Sequence, residues 1–158
     1  MTPNAAKKNL EFNRPQLRFI VSQPKEANSV WSRATGKSSL IAWLMHLIAQ
    51  QMPRSAWALV GSTYMQILTR TLPSTIGSLE RIGYVKDVHY FIGRRPPPSW
   101  NWPTPYEPPV KFDHFISFYT GASFHLVSQD KGGGSSRGLN IDGIIADESL
   151  LLDKERFD

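Results

Sequence analysis

Gly36-Lys37-Ser38-Ser39, running directly into the apolar stretch Leu40-Ile41-Ala42-Trp43-Leu44-Met45, carries the most definite chemistry in this chain. Backbone N–H groups at such a helix start, reinforced by the helix macrodipole, hold phosphate; Lys37 would reach the β- and γ-phosphates and Ser38 would ligate Mg²⁺. A standard phosphate loop opens on glycine five residues before the glycine of its Gly-Lys-Ser. Here Trp31 stands in that place, and Ser32, Arg33, Ala34 and Thr35 fill the loop. A Gly-Lys-Ser triplet also arises by chance at helix starts, where glycine and serine are common. A second pattern lies near the other end. Gly143-Ile144-Ile145-Ala146-Asp147-Glu148 reads as a buried strand ending in two carboxylates. Asp147 would hold Mg²⁺ through water, and Glu148 would orient and deprotonate an attacking water. Taken alone, this pair could be a solvated strand end. The two patterns in this order are those of a nucleoside triphosphatase with Walker A and Walker B motifs.

The elements that must position these groups follow an α/β alternation. After a polar lead-in over residues 1–14, Pro15 opens a short helix, Gln16-Leu17-Arg18-Phe19-Ile20-Val21, which stops near Pro24. Asn28 to Trp31 would be the strand feeding the phosphate loop. The helix from Lys37 to about Met52 is apolar on most faces and should be buried against a sheet. Ala56 to Gly61 is a continuous apolar strand of the parallel-sheet type. Tyr64 to Thr71 reads as one helix, and Pro73 starts another that Gly83 caps. Tyr84 to Ile92 reads as extended. Half of residues 96–109 are proline, with Trp100, Trp102 and Tyr106 between them. This insertion is either a rigid loop packed on its own domain or an aromatic contact for DNA or a neighbouring subunit. Phe112–Tyr119 and Ala122–Ser128 form a hairpin turning at Thr120-Gly121. The basic, Gly-rich loop from Lys131 to Gly138 then leads to the carboxylate-bearing strand. Its Arg137 either reaches phosphate or DNA, or belongs to a plain connection. His46, His89, His114 and His125 lack ligand spacing and read as structural or surface residues.

Composition bounds these readings. At 158 residues and 41% hydrophobic content the chain makes a single domain with a real core. The longest apolar run, Leu40 to Ile48, is too short to span a bilayer, and Met1 to Leu10 has no leader-like apolar segment. With no cysteine, disulfides and thiolate metal sites are excluded, which fits a reducing compartment. The net charge of +5 conceals an asymmetry: residues 142–158 hold six acidic and two basic side chains, leaving +9 on residues 1–141. A basic body suits a polyanion such as DNA, and equally a solubilising surface.

Together these pieces resemble the N-terminal ATPase domain of the large terminase subunit, the motor that packages DNA in tailed bacteriophages. The resemblance rests on Gln16-Leu17-Arg18-Phe19, the arginine-bearing loop Ser32 to Ser38, and Thr63-Tyr64-Met65-Gln66 through Leu72-Pro73-Ser74. It also rests on Ser128-Gln129-Asp130, Ser136-Arg137-Gly138-Leu139 and Asp142 to Glu148. It implies a P-loop fold, a mainly parallel sheet with flanking helices and a β-hairpin insertion, that binds ATP with Mg²⁺. Nucleotide would be held by Gln16 and the run Ser32, Arg33, Ala34, Thr35, Gly36, Lys37, Ser38, Ser39, with Gln16 reading adenine and Arg33 acting as a phosphate-sensing or cis-acting arginine. Lys37, Arg33 and Glu148 would be catalytic, and Ser38 and Asp147 would hold the metal. The implied partners are double-stranded DNA, a portal protein, a small terminase subunit and further copies in a ring, at a procapsid in the host cytoplasm. Large subunits continue into a coupling motif and a nuclease domain. Since this chain ends ten residues after Glu148, the expectation is a partial ATPase domain over residues 15–158 that binds nucleotide better than it turns it over. A helicase-like ATPase and a non-hydrolysing DNA-binding or assembly module are the alternatives.

Overall fold

The computed structural model describes residues 10–22, 36–130 and 138–147. Helix α1 (Arg14–Ser22) starts on a reciprocal cap: the Asn13 side-chain oxygen accepts from the Gln16 N–H at 3.0 Å, and the Gln16 side-chain oxygen accepts from the Asn13 N–H at 2.9 Å. Helix α2 (Lys37–Gln51) buries Leu40, Ile41, Ala42, Met45, Ile48 and Ala49. A turn through Met52 and Ser55 then reverses the chain into strand β1 (Ala56–Gly61). The strand segment expected over Asn28–Trp31 lies outside the described residues.

The sheet has five strands in the order β2-β3-β4-β1-β5, with β2 Tyr90–Ile92, β3 Phe115–Phe118, β4 Ser123–Ser128 and β5 Gly143–Ala146. β1 runs parallel to both β4 and β5; β3 joins antiparallel to β4 and β2 antiparallel to β3. This is a mixed α/β architecture. The β3–β4 turn falls at Gly121, as its sequence predicts, with φ +83°. One sheet face carries the main core, in which Ile41, Met45, Leu59, Leu79, Phe118, Phe124 and Leu126 pack beneath α2 and the next helix. The other face holds a smaller cluster of Ala58, Val60 and Val127, covered by Leu139 and Ile141.

Two sequence readings are corrected. Residues 64–82 form one helix rather than two: α3 begins at Tyr64–Gln66, passes a π-helical turn at Ile67–Thr71 and continues through Leu72–Ile82. Pro73 reads as a helix start because it lacks an N–H. The wide turn accommodates it, since the Leu72 N–H bonds back five residues to the Ile67 carbonyl. The expected stop at Gly83 is present, with φ +113°. The segment expected to be extended from Tyr84 to Ile92 is strand only over its last three residues. Before them the chain turns through Asp87 at φ +63°, with the Asp87 N–H bonded to the Tyr90 carbonyl.

The proline-rich insertion packs on its own domain. The Arg54 guanidinium lies 4.2 Å from the Tyr106 ring centroid and its Nε donates to the Thr104 carbonyl at 2.8 Å, while Trp100 and Trp102 cluster on Phe91.

Candidate functional site

Helix α2 enters β1 through a tight turn, so it runs antiparallel to that strand and its N-terminus returns to the strand's carboxyl end. Its 15 residues span about 22 Å and the six of β1 about 20 Å, so the two lengths match. β5 is parallel to β1, and Asp147, just beyond it, continues the ladder by donating its N–H to the Val60 carbonyl at 3.0 Å. Gly36, Lys37 and Ser38 therefore share the carboxyl edge of the sheet with Asp147. In open α/β sheets this is the edge at which ligands bind.

Gly36 precedes the helix in the left-handed region, φ +81° and ψ +28°, a conformation that glycine adopts without strain. Its carbonyl accepts from the Leu40 N–H at 3.1 Å and from Gln16 Nε2 at 2.9 Å. A Cβ at this position would collide with the Gln16 amide. Gln16 is only 5% exposed, and its side-chain oxygen and nitrogen are both engaged, one by the cap of α1 and the other by Gly36. The resemblance implies a base-reading glutamine; the geometry has it tie α1 to the start of α2.

Lys37, Ser38 and Ser39 are half-buried in the first turn of α2. Among the described residues Lys37 belongs to no ion pair, the sole pair there being Arg94–Asp87 at 3.0 Å. Asp147 is half-buried, and its Oδ2 accepts from the Thr71 hydroxyl at 2.7 Å. The donor set at this edge, a serine hydroxyl and a carboxylate, consists of hard oxygens and fits Mg²⁺. That ion is ordinarily held by one or two carboxylates, substrate phosphates and water rather than by a protein cage. Among the described residues no three of His, Cys, Asp and Glu converge. Ser32, Arg33, Ala34, Thr35, Arg137 and Glu148 lie outside the described residues.

Sequence reading passed over a row of polar side chains on α3. Thr71, Thr75 and Ser78 are all buried and follow helical spacing along one face. The Ser78 hydroxyl lies 3.4 Å from that of Ser39 and accepts from Arg81 at 2.9 Å. α3 thus touches both halves of the site, β5 through Thr71 and α2 through Ser78. The signal was present as Thr71-x₃-Thr75-x₂-Ser78 within an otherwise apolar face, masked by the division of the helix at Pro73.

The histidines occupy other surroundings. His46 Nδ1 pairs with the Tyr84 hydroxyl at 2.8 Å, and the His89 ring accepts from the Val85 N–H at 2.8 Å. His114 stacks on Tyr64 and His125 packs edge-on to Phe115. No helix among the described residues is long and apolar enough to cross a membrane. No protein-family model, no curated protein and no solved structure matches this chain.

Proposed function

We propose that this chain is a P-loop ATPase domain of the DNA-packaging motor class, binding Mg-ATP and coupling its hydrolysis to movement of double-stranded DNA. One observation supports the nucleotide chemistry above others: Gly36-Lys37-Ser38 and Asp147, 110 positions apart in sequence from Lys37 to Asp147, lie toward the same carboxyl edge of the parallel strands β1 and β5. In this reading the α2 amides and Lys37 bind the phosphates and Ser38 and Asp147 hold Mg²⁺, which when bound neutralises charge on the transferred phosphoryl group. Glu148, the residue after Asp147, accepts the proton of the attacking water, and Arg33 stabilises charge at the γ-phosphate. The DNA partner, the ring of copies, the portal and the small subunit rest on the terminase resemblance and on the +9 carried by residues 1–141.

Phosphate release with and without double-stranded DNA tests the reading. Lys37→Ala and Glu148→Gln should each abolish DNA-stimulated turnover, with Glu148→Gln still binding nucleotide. Turnover at the wild-type rate in Glu148→Gln would remove that residue from the role of base, and unchanged turnover in Lys37→Ala would overturn the ATPase reading.

A further inference from the structure

Helix α3 treats the Thr71 hydroxyl differently from those of Thr69, Thr75 and Ser78. Thr69, Thr75 and Ser78 donate back to the carbonyl four residues earlier, at 2.6, 2.8 and 3.0 Å. That is the ordinary habit of a helical hydroxyl. The corresponding acceptor for Thr71 is the Ile67 carbonyl, which in the π turn accepts from the Leu72 N–H five residues on. Thr71, 4% exposed, directs its hydroxyl out of the helix to Asp147 Oδ2 at 2.7 Å. The Thr71 carbonyl is itself held by the Thr75 hydroxyl, so the donor sits on a braced turn. An insertion of this kind inside a helix re-aims side chains and is often found at functional sites.

From this geometry we propose that Thr71 is a positioning residue for the metal, fixing the rotamer of the Asp147 carboxylate that would hold the Mg²⁺ accompanying nucleotide. This rests on the ATPase reading above. A hydroxyl donating to one carboxylate oxygen sets the rotamer, as outer hydrogen-bond partners of metal ligands do. Ser78, seven residues further along the same helix, touches Ser39 beside Ser38, so α3 bears on both protein ligands of the ion.

The test is an equilibrium titration of the full chain with Mn²⁺ in the presence of ATPγS, with free Mn²⁺ read by electron paramagnetic resonance. Metal-free ATPγS affinity is measured beside it. Thr71→Val should raise the half-saturating Mn²⁺ concentration about tenfold, the usual effect of removing an outer partner of a ligand, and leave metal-free nucleotide affinity unchanged. Thr71→Ser, which keeps the hydroxyl, should bind Mn²⁺ as the wild type does. Asp147→Asn serves as the control for the site. If Asp147→Asn loses metal while Thr71→Val keeps it, the positioning role is wrong and the ATPase reading stands. A loss in Thr71→Ser as large as in Thr71→Val, or an equal loss of metal-free nucleotide in Thr71→Val, also overturns the role. If the wild type holds no Mn²⁺ on ATPγS, or Asp147→Asn binds it unchanged, the metal-site reading falls and this inference falls with it.

Discussion

Gln16 and Gly36 show how far a single contact carries an argument about this site. The Gln16 amide closes the cap of α1 at one end and grips the Gly36 carbonyl at the other, so its removal should be felt in stability before specificity. Gln16→Ala should cost about 1–3 kcal/mol, the loss expected for a buried bonded amide and the partners it leaves unpaired, measured by denaturant unfolding. It should weaken ATP and GTP analogues by the same factor; a loss confined to ATP would return Gln16 to base reading alone. Gly36→Ala fails twice over, by its left-handed φ of +81° and by collision with that amide. It should therefore melt lower than the wild type and lose nucleotide affinity. The glycine and glutamine were individually visible in the sequence. Their contact spans 20 residues, and no local pattern encodes a pairing at that distance.

Secondary elements are most legible in the sequence where the chain's own periodicity decides the conformation. The apolar run of β1, the glycine stop after Ile82, the hairpin at Gly121 and the carboxylate-terminated β5 all appear where their residues put them. Legibility fails where tertiary contacts override propensity. Pro73 would break an isolated α-helix, yet α3 carries it past a π turn, with Thr71 bonded to Asp147 just beyond β5 and Ser78 against Ser39 of α2. Val85, Val88 and their aromatic neighbours suggest a strand, but the turn at Asp87 and the bond from the Val85 N–H to the His89 ring fold that segment back. The entry of β5 beside β1 yields a prediction of its own. Gly143 pairs with Trp57, and a Cβ there would overlap the Trp57 ring. Gly143→Ala should cost about 1–3 kcal/mol by overpacking, read as a lowered unfolding midpoint. Because Asp147 follows directly on this strand, it should also weaken metal binding. An unchanged midpoint would mean that the two strands are not in this register.

For the molecule as a whole, the half-buried His46 and the buried His125 set a direction for the pH dependence. Burial lowers the pKa of His46, which sits between α2 and the Tyr84 hydroxyl, and burial likewise lowers that of His125. Tyr84 itself is pushed up to about 12, chiefly by burial, and stays a neutral partner. A histidine whose folded pKa lies below its unfolded value of about 6.5 binds protons more readily when unfolded, so its contribution is complete above that pH and is lost on acidification. The thermal midpoint should therefore fall between pH 7.5 and 5.5, and His46→Gln should flatten part of that fall; a midpoint rising on acidification would contradict the burial.

The central claim is that the start of α2 and the end of β5 form one phosphate and metal site. Its most direct test is the thermal midpoint of this chain with and without Mg-ATPγS, beside Lys37→Ala. A ligand held by the folded state alone raises the midpoint by mass action. Mg-ATPγS should raise the midpoint of the wild type and leave that of Lys37→Ala unmoved, while both proteins melt cooperatively. A cooperative wild-type melt that Mg-ATPγS does not move, or a shift that survives loss of Lys37, would contradict the claim.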